Sequence, residues 1–155
     1  MIFFYKIELA KTADKIRNYQ QKNYYDGQWS DKYEALTYFM IGQIQGPDKK
    51  EIAWVNAQTY DMIFTQPVIT EFKNLSVPVK LIIGTRDRTG PGRKWKRPGV
   101  TYELGRYDQL GRSAAKLIPD AKLYELKDLG HLPQIENFER FKSALNSALN
   151  ISDSK

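Results

Sequence analysis

The apolar residues between positions 30 and 47 recur every three or four residues, which is the spacing of one helix face. These residues are Tyr33, Leu36, Met40 and Ile44. Ser30 belongs to the residue types that cap helix N-termini, and Gly46 followed by Pro47 is typical of a helix end. The pattern therefore predicts one amphipathic helix between Ser30 and Gly46.

Two further helices are predicted, one on each side of this helix. Asp48 followed by Glu51 resembles a capping box, with Asp in place of the usual Ser or Thr. The helix that begins there carries Ile52, Val55, Thr59 and Met62 on one face. Thr12 is expected to cap an earlier helix that extends to residue 24, with Ile16 and Tyr19 facing inward.

From residue 77 onwards the pattern changes to alternating strands and helices. The mostly apolar run Val79–Ile83 ends at Gly84 and is typical of a buried parallel strand, and Ala121–Leu126 predicts a second strand. A helix between them is predicted from Tyr107, Leu110, Ala114 and Leu117. The last helix is predicted from Phe138, Phe141, Leu145 and Leu149.

The predicted order of strand, helix, strand and helix implies a parallel pair of strands. Parallel sheets occur almost only with several strands and with helices on both faces, and a two-stranded sheet is marginal alone. Its unpaired edge would expose backbone donors and acceptors. We therefore expect an α/β fold in which residues 67–155 are the later part of a larger sheet, whose earlier strands are missing or supplied by another polypeptide.

Composition fits one globular protein and excludes several classes of chemistry. The chain has 155 residues, of which 41% are hydrophobic and 27% are charged. It contains no cysteine and a single histidine, His131, so cysteine catalysis and a multi-histidine metal site are excluded. The lack of cysteine is compatible with a reducing or an oxidising compartment, so localisation stays open.

The net charge of +6 raises the question of an anionic partner. Part of the excess lies in one glycine- and proline-rich stretch with Arg86, Arg88, Arg93, Lys94, Lys96 and Arg97. No helix-turn-helix, zinc-finger or RNA-binding aromatic signature accompanies it, so a solvated loop explains it better than nucleic-acid binding. No segment reaches the ~18 apolar residues of a membrane span, so no membrane partner and no targeting segment are expected.

Two loops carry the candidate chemistry, because ligands of open α/β sheets bind beyond the carboxyl ends of the strands. Asp87 follows the first predicted strand, and His131 follows the second. In a hydrolase, Asp87 would accept the imidazole N–H and fix its tautomer, and His131 would move a proton between nucleophile and leaving group. The alternative is that Asp87 caps a loop and His131 is a polar turn residue.

Four stretches of the chain resemble the C-terminal portion of an α/β-hydrolase of the proline-iminopeptidase-like or haloperoxidase-like kind, which carries a helical cap. The stretches are Tyr24–Trp29, Thr59–Pro67, Val77–Asp87 and Asp128–Phe141. The resemblance implies that residues 1–66 are the cap, and that residues 67–155 are the C-terminal α/β segment with two parallel strands and flanking helices. It further implies Asp87 as triad acid, His131 as general base, a small-molecule ester or amide substrate, and no cofactor.

The chain departs from this family in one respect that bears on activity. The family places its nucleophile in a G-x-S-x-G motif, and the sequence contains no such motif. Ser113 lies in a predicted helix, Ser30 is a predicted cap, and Ser76 precedes a strand at the wrong end. We expect a truncated hydrolase that is inactive alone. The alternatives are a non-catalytic interaction module that completes its sheet with a partner chain and, third, a basic nucleic-acid binder.

Aromatic residues are frequent in the expected cap, and most of them are expected to serve packing. Tyr60, Asp61 and Phe64 lie at the exit from the cap and are the preferred candidates for contact with a substrate.

Overall fold

The computed structural model describes residues 1–93 and 95–151. Lys94, a member of the basic stretch, therefore lies outside the described residues. The chain forms two compact units. The first consists of Met1–Lys22 and Asp26–Val68, and the second consists of Asn23–Tyr25 and Ile69–Lys155.

The first unit is built from helices. In chain order they are α1 (Ile2–Leu9), α2 (Ala13–Asn23, of which Asn23 belongs to the second unit), α3 (Asp31–Ala35), α4 (Tyr38–Gln45) and α5 (Lys49–Thr65). Helices α1 and α5 pack against each other, with Phe4 stacked on Tyr60 and Phe64. Sequence reasoning missed α1, because its apolar residues are consecutive and show no helical period.

The single helix predicted after Ser30 is wrong, since the structure has α3 and α4 with a break at Leu36 and Thr37. The hydroxyl of Thr37 donates to the carbonyl oxygen of Glu34 over 2.7 Å, and Thr37 is fully buried. A threonine hydroxyl that bonds nearby backbone competes with regular helical hydrogen bonding. The break between α3 and α4 therefore coincides with the hydrogen bond between Thr37 and Glu34, which the apolar pattern does not reveal.

The predicted caps are only partly correct. Ser30 and Asp48 occupy N-cap positions, but neither side chain makes a capping hydrogen bond. The hydroxyl of Thr12 does accept from the backbone N–H of Lys15 over 3.2 Å, as a cap requires. Tyr19 is 48% exposed, so its predicted inward position is wrong, whereas Ile16 is buried as expected.

The second unit contains both predicted strands. A 3₁₀ helix (Val68–Asn74, which begins in the first unit) leads to β1 (Val79–Gly84), followed by α6 (Tyr107–Leu117), β2 (Ala121–Leu126), α7 (Pro133–Glu136) and α8 (Phe138–Leu149). The strands are parallel, with Val79 opposite Ala121 and Gly84 opposite Leu126. Within the described residues they form a two-stranded sheet, so each strand has one edge without a partner strand.

Helices cover both faces of this small sheet. On one face, a Cβ at Gly111 of α6 would lie 3.2 Å from side-chain atoms of Ile83 and Leu123. On the other face, the hydroxyl of Tyr124 donates to the carbonyl oxygen of Ser147 in α8 over 3.1 Å. Because successive residues of a strand point to opposite faces, α6 and α8 lie on opposite sides of the sheet.

The apolar stripes of α6 and α8 are incompletely covered. Four of the residues that predicted these helices remain exposed, namely Leu110, Leu117, Phe138 and Leu149. Val77, just before β1, is also exposed. The sheet and its helices thus present apolar surface beyond what the described residues bury. None of the helices in the described part of the chain is long and apolar enough to cross a membrane.

Candidate active site

The ends of β1 and β2 bring two loops into backbone contact. The N–H of Thr85 donates to the carbonyl oxygen of Leu126 over 3.1 Å, and the N–H of Arg86 donates to that of Leu129 over 2.9 Å. A Cβ at Gly84 would lie 2.2 Å from the carbonyl oxygen of Gly130. Only glycine at position 84 therefore permits the two loops to approach so closely.

This approach places Asp87 beside His131. Oδ2 of Asp87 lies 2.8 Å from Nδ1 of the imidazole, which is a hydrogen-bond distance. Asp87 is only 6% exposed, whereas the side chain of His131 is 36% exposed. An ionised carboxylate can only accept, so the proton lies on Nδ1 in the neutral imidazole and Nε2 is left as a free base.

Thr89 contacts both members of this pair. Its backbone N–H donates to Oδ1 of Asp87 over 2.7 Å, and its hydroxyl oxygen lies 3.0 Å from Nδ1 of His131. Thr89 is itself buried. The carboxylate is therefore held at both oxygens, with Oδ1 on the Thr89 backbone and Oδ2 on the imidazole.

The pKa of the Asp87 carboxyl is lowered from its usual range by its hydrogen bonds. Burial alone would raise the pKa, because it penalises the charged carboxylate. Hydrogen bonds from His131 and from the backbone and hydroxyl of Thr89 outweigh that effect. Asp87 is thus a carboxylate at neutral pH, as an acceptor for the imidazole N–H must be.

Arginines of the basic stretch fix the loop that carries Asp87. The Arg88 guanidinium donates from Nη1 to the carbonyl oxygens of Thr85 (3.0 Å) and Asp87 (2.7 Å). Arg86 pairs with Glu136 at the end of α7, and Glu136 also accepts from the N–H of Gly130. The expectation of a solvated basic loop is therefore wrong for Arg86 and Arg88.

The ring of Tyr24 lies against His131, with the ring centroids 4.5 Å apart and the planes 38° apart. Tyr24 belongs to the 23–25 segment of the second unit. Sequence reasoning assigned no site role to Thr89 or Glu136, and it placed Tyr24 among the cap aromatics that could line a pocket but are mostly expected to serve packing. The proximity of Thr89 to Asp87 along the chain was one available signal, whereas nothing in the sequence pattern relates Tyr24 to His131.

The three residues predicted to contact a substrate belong to the first unit. Tyr60, Asp61 and Phe64 lie on α5, where Phe4 stacks on both aromatic rings at 5.6 Å. Oδ1 of Asp61 lies 3.2 Å from the amino group of Met1. Two of the three side chains thus pack against α1, and their contact with a substrate stays a prediction.

The three serines weighed as nucleophiles lie in or next to helices and strands. Ser113 lies within α6, Ser30 is the N-cap residue of α3, and Ser76 precedes the start of β1. The described residues contain no group of three or more His, Asp or Glu side chains that could hold a metal ion. The site brings together the Asp87 carboxylate, the His131 imidazole and the Thr89 hydroxyl.

Comparison with known proteins relates the chain to one probable hydrolytic enzyme. No protein-family model and no curated protein matches the chain. A solved structure that does resemble it is a probable hydrolytic enzyme from Pseudomonas aeruginosa, with 42% sequence identity and a TM-score of 0.88. The chain has a hydrolase-like fold. The match covers 94% of this chain and 47% of the Pseudomonas enzyme, so the chain spans about half the length of that relative.

Proposed function

We propose that the chain is the cap and the acid-and-histidine portion of a serine-type α/β-hydrolase, with residues 1–66 as cap and residues 67–155 as C-terminal α/β segment. Asp87 is the triad acid and His131 is the general base. The observation that carries the proposal is the 2.8 Å contact between Oδ2 of buried Asp87 and Nδ1 of His131, at the carboxyl ends of neighbouring parallel strands.

Features of the sheet support the proposal that further strands complete it. Helices lie on both faces of β1 and β2, an arrangement that parallel sheets use to bury several strands. Apolar side chains of α6 and α8 remain exposed, and the resembling hydrolytic enzyme is about twice as long. We infer that a further segment or chain pairs at the sheet edge and supplies the serine nucleophile.

The proposed reaction is acyl transfer from an ester or amide to water. Nε2 of His131 takes the serine proton while the serine oxygen bonds to the carbonyl carbon. The imidazolium then gives this proton to the leaving alcohol or amine as its bond to the carbonyl carbon breaks. Water attacks the acyl-enzyme in the same way, with His131 taking its proton and returning it to the serine oxygen.

We further propose that the chain alone does not hydrolyse esters or amides. The sequence holds no G-x-S-x-G elbow, which supplies both the nucleophile and one oxyanion-hole N–H in such enzymes. Without that elbow, the acid and base lack the serine hydroxyl that they would activate and one N–H donor to the tetrahedral intermediate. The hydroxyl of Thr89 lies beside Nδ1 of His131, the nitrogen that also contacts Asp87. No cofactor takes part in the proposed reaction.

A fluorophosphonate probe that labels activated serines tests the proposal. The chain alone should show no labelling. Co-expression with the part of the Pseudomonas aeruginosa enzyme outside the matched region should give a complex whose serine is labelled, and substitution of His131 by Gln should abolish that labelling. Labelling of the chain alone would overturn its inactivity, and a labelled complex that is insensitive to His131 would overturn the proposed base.

A non-catalytic interaction module is the second candidate, favoured by the strand edges that the described residues leave unpaired. The same experiment separates the two. A stable complex in which the serine of the added part stays unlabelled would support a binding role without catalysis.

A further inference from the structure

We propose that Arg86 and Glu136 form a latch that positions His131 against Asp87, and that both are positioning residues for the candidate site. The two residues are 50 positions apart in the sequence. Each is close to one member of the pair, since Arg86 directly precedes Asp87 and Glu136 bonds the residue before His131. The role of the latch in catalysis rests on the proposed function, whereas the contacts that form the latch are independent of it.

The carboxylate of Glu136 uses both oxygens to join the two loops. Oε2 accepts from the backbone N–H of Gly130, next to His131. Oε1 accepts from Nη2 of Arg86, next to Asp87. Glu136 ends α7, which begins two residues after His131. Along the chain, His131 therefore lies between Gly130, whose N–H donates to Glu136, and the helix that carries Glu136. One side chain thus joins the loops that carry acid and base, in addition to the backbone hydrogen bonds between them.

The Arg86 guanidinium extends the latch to the rest of the histidine loop. Its Nε donates to the carbonyl oxygen of Asp128 over 3.1 Å, and its Nη1 lies 3.5 Å from that of Tyr24. Tyr24 is the residue whose ring lies against His131. The planar fork of an arginine can reach these acceptors together, which the single point charge of a lysine cannot.

The local environment makes the two charges depend on each other. The side chain of Glu136 is 10% exposed and that of Arg86 is 23% exposed. Removing one partner of such a pair leaves the other charge poorly solvated, which costs more than the pair itself contributes. Gly130 is tightly packed against the 23–25 segment, since a Cβ there would lie 2.1 Å from the carbonyl oxygen of Tyr24. Loss of the latch should therefore move the histidine loop rather than be absorbed locally.

Nuclear magnetic resonance of the whole chain tests the latch without a substrate, because the chain has a single histidine. In Glu136→Gln the amide oxygen can still accept from Gly130, but Arg86 loses its carboxylate. We expect the Nδ1 proton of His131 and the amide proton of Gly130 to exchange with water about tenfold faster, from the loss of a charged hydrogen bond. Amide protons of β1 and β2 should keep their protection.

Glu125→Gln is the matched control. Glu125 forms a two-oxygen ion pair with Arg112 at 2.9 and 2.8 Å, on a face of the sheet covered by α6. The substitution removes the same charge from the same unit, and the His131 signals should not change. Equal exchange at Nδ1 of His131 in Glu136→Gln and in the unmodified chain would overturn the latch.

A double-mutant cycle keeps the test decisive if Glu136→Gln destabilises the fold. The double variant Arg86→Gln/Glu136→Gln leaves neither charge unpaired. The His131 Nδ1 and Gly130 amide protons should therefore exchange no faster in it than in the faster-exchanging single variant. Effects that simply add would show two independent contacts and overturn the latch. Failure of serine labelling in the completed enzyme would leave these results untouched, so the two proposals fail separately.

Discussion

The backbone N–H of Thr89 donates to Oδ1 of Asp87 over 2.7 Å, and the hydroxyl oxygen of Thr89 lies 3.0 Å from Nδ1 of His131. One residue thus contacts both the candidate acid and the candidate base. The backbone contact survives any substitution except proline, which has no N–H, whereas the hydroxyl contact depends on the side chain. The two contributions can therefore be separated by experiment.

Replacing Thr89 by Val should raise the pKa of Asp87 towards its usual range, because Val keeps the shape of Thr and removes the hydroxyl donor. The loss of one buried hydrogen bond should lower the free energy of unfolding by about 1 kcal/mol at neutral pH. Urea unfolding at a series of pH values measures both effects. The loss of stability in acid should be smaller in Thr89→Val than in the unmodified chain, and it should be complete at a higher pH, because the folded and unfolded pKa values of Asp87 lie closer together.

Thr89→Ser is the control for this comparison, since serine restores the hydroxyl without the methyl group. Its acid-unfolding profile should lie close to that of the unmodified chain. If Thr89→Val has the same pH dependence as Thr89→Ser, the hydroxyl has no influence on Asp87.

Asp87 should make the stability of the chain depend on pH in the acid range. Its pKa is lowered in the folded state, so it contributes stability that is complete above the pKa of the unfolded chain, about 4. That contribution is lost as the pH falls through the lower, folded pKa. The difference in unfolding free energy between the unmodified chain and Asp87→Asn should therefore be largest at neutral pH and shrink below about pH 4.

Asp120→Asn serves as the control, because Asp120 lies exposed in the turn before β2. Its unfolding free energy should follow that of the unmodified chain across the same pH range. A constant difference between the unmodified chain and Asp87→Asn down to pH 2 would contradict the lowered pKa.

Gly84 and Gly130 should be intolerant of any side chain. A Cβ at Gly84 would lie 2.2 and 2.5 Å from the carbonyl oxygens of Gly130 and Leu129, and a Cβ at Gly130 would lie 2.1 Å from that of Tyr24. Backbone oxygens cannot rotate away as a flexible side chain does. We expect each substitution to Ala to lower the unfolding free energy by about 3 kcal/mol, measured by urea denaturation.

Gly42→Ala is the matched control for these substitutions. Gly42 lies inside α4, and apart from its chain neighbours and the nearby backbone of its own helix, a Cβ there would meet no atom within 4 Å. Alanine should stabilise the helix by about 0.5–1 kcal/mol, since it loses less conformational freedom on folding. A similar loss of stability at positions 42, 84 and 130 would show that the close loop approach is not the cause.

Much of the second unit was predictable because its signals are local. Val79–Ile83 and Ala121–Leu126 are short runs ended by loop residues, and both strands are confirmed. The strand ends also gave the neighbouring positions of Asp87 and His131, since parallel strands end at one edge of a sheet. Their catalytic roles stay predictions.

What the sequence pattern missed depends on contacts between distant residues. The bond from Arg86 to Glu136 spans 50 positions, and no periodicity relates two loops at such a separation. The break between α3 and α4 has a similar origin, because buried Thr37 interrupts an apolar spacing that otherwise fits one helix. Patterning reports which face is apolar, whereas side-chain hydrogen bonds decide the local geometry.

In the enzyme completed with a serine-bearing part, Asp87→Asn should reduce kcat by about 10³–10⁴-fold with little change in KM. The reason is the tautomer: an amide can donate to Nδ1 through its NH₂ group, which places the imidazole proton on Nε2, where the base must be free. Hydrolysis of an activated ester at neutral pH measures the effect, with Asp120→Asn as control. The tautomer itself is visible in the nitrogen chemical shifts of the single histidine. An Asp87→Asn enzyme that keeps both its rate and the Nδ1-protonated tautomer would exclude Asp87 as the residue that orients His131.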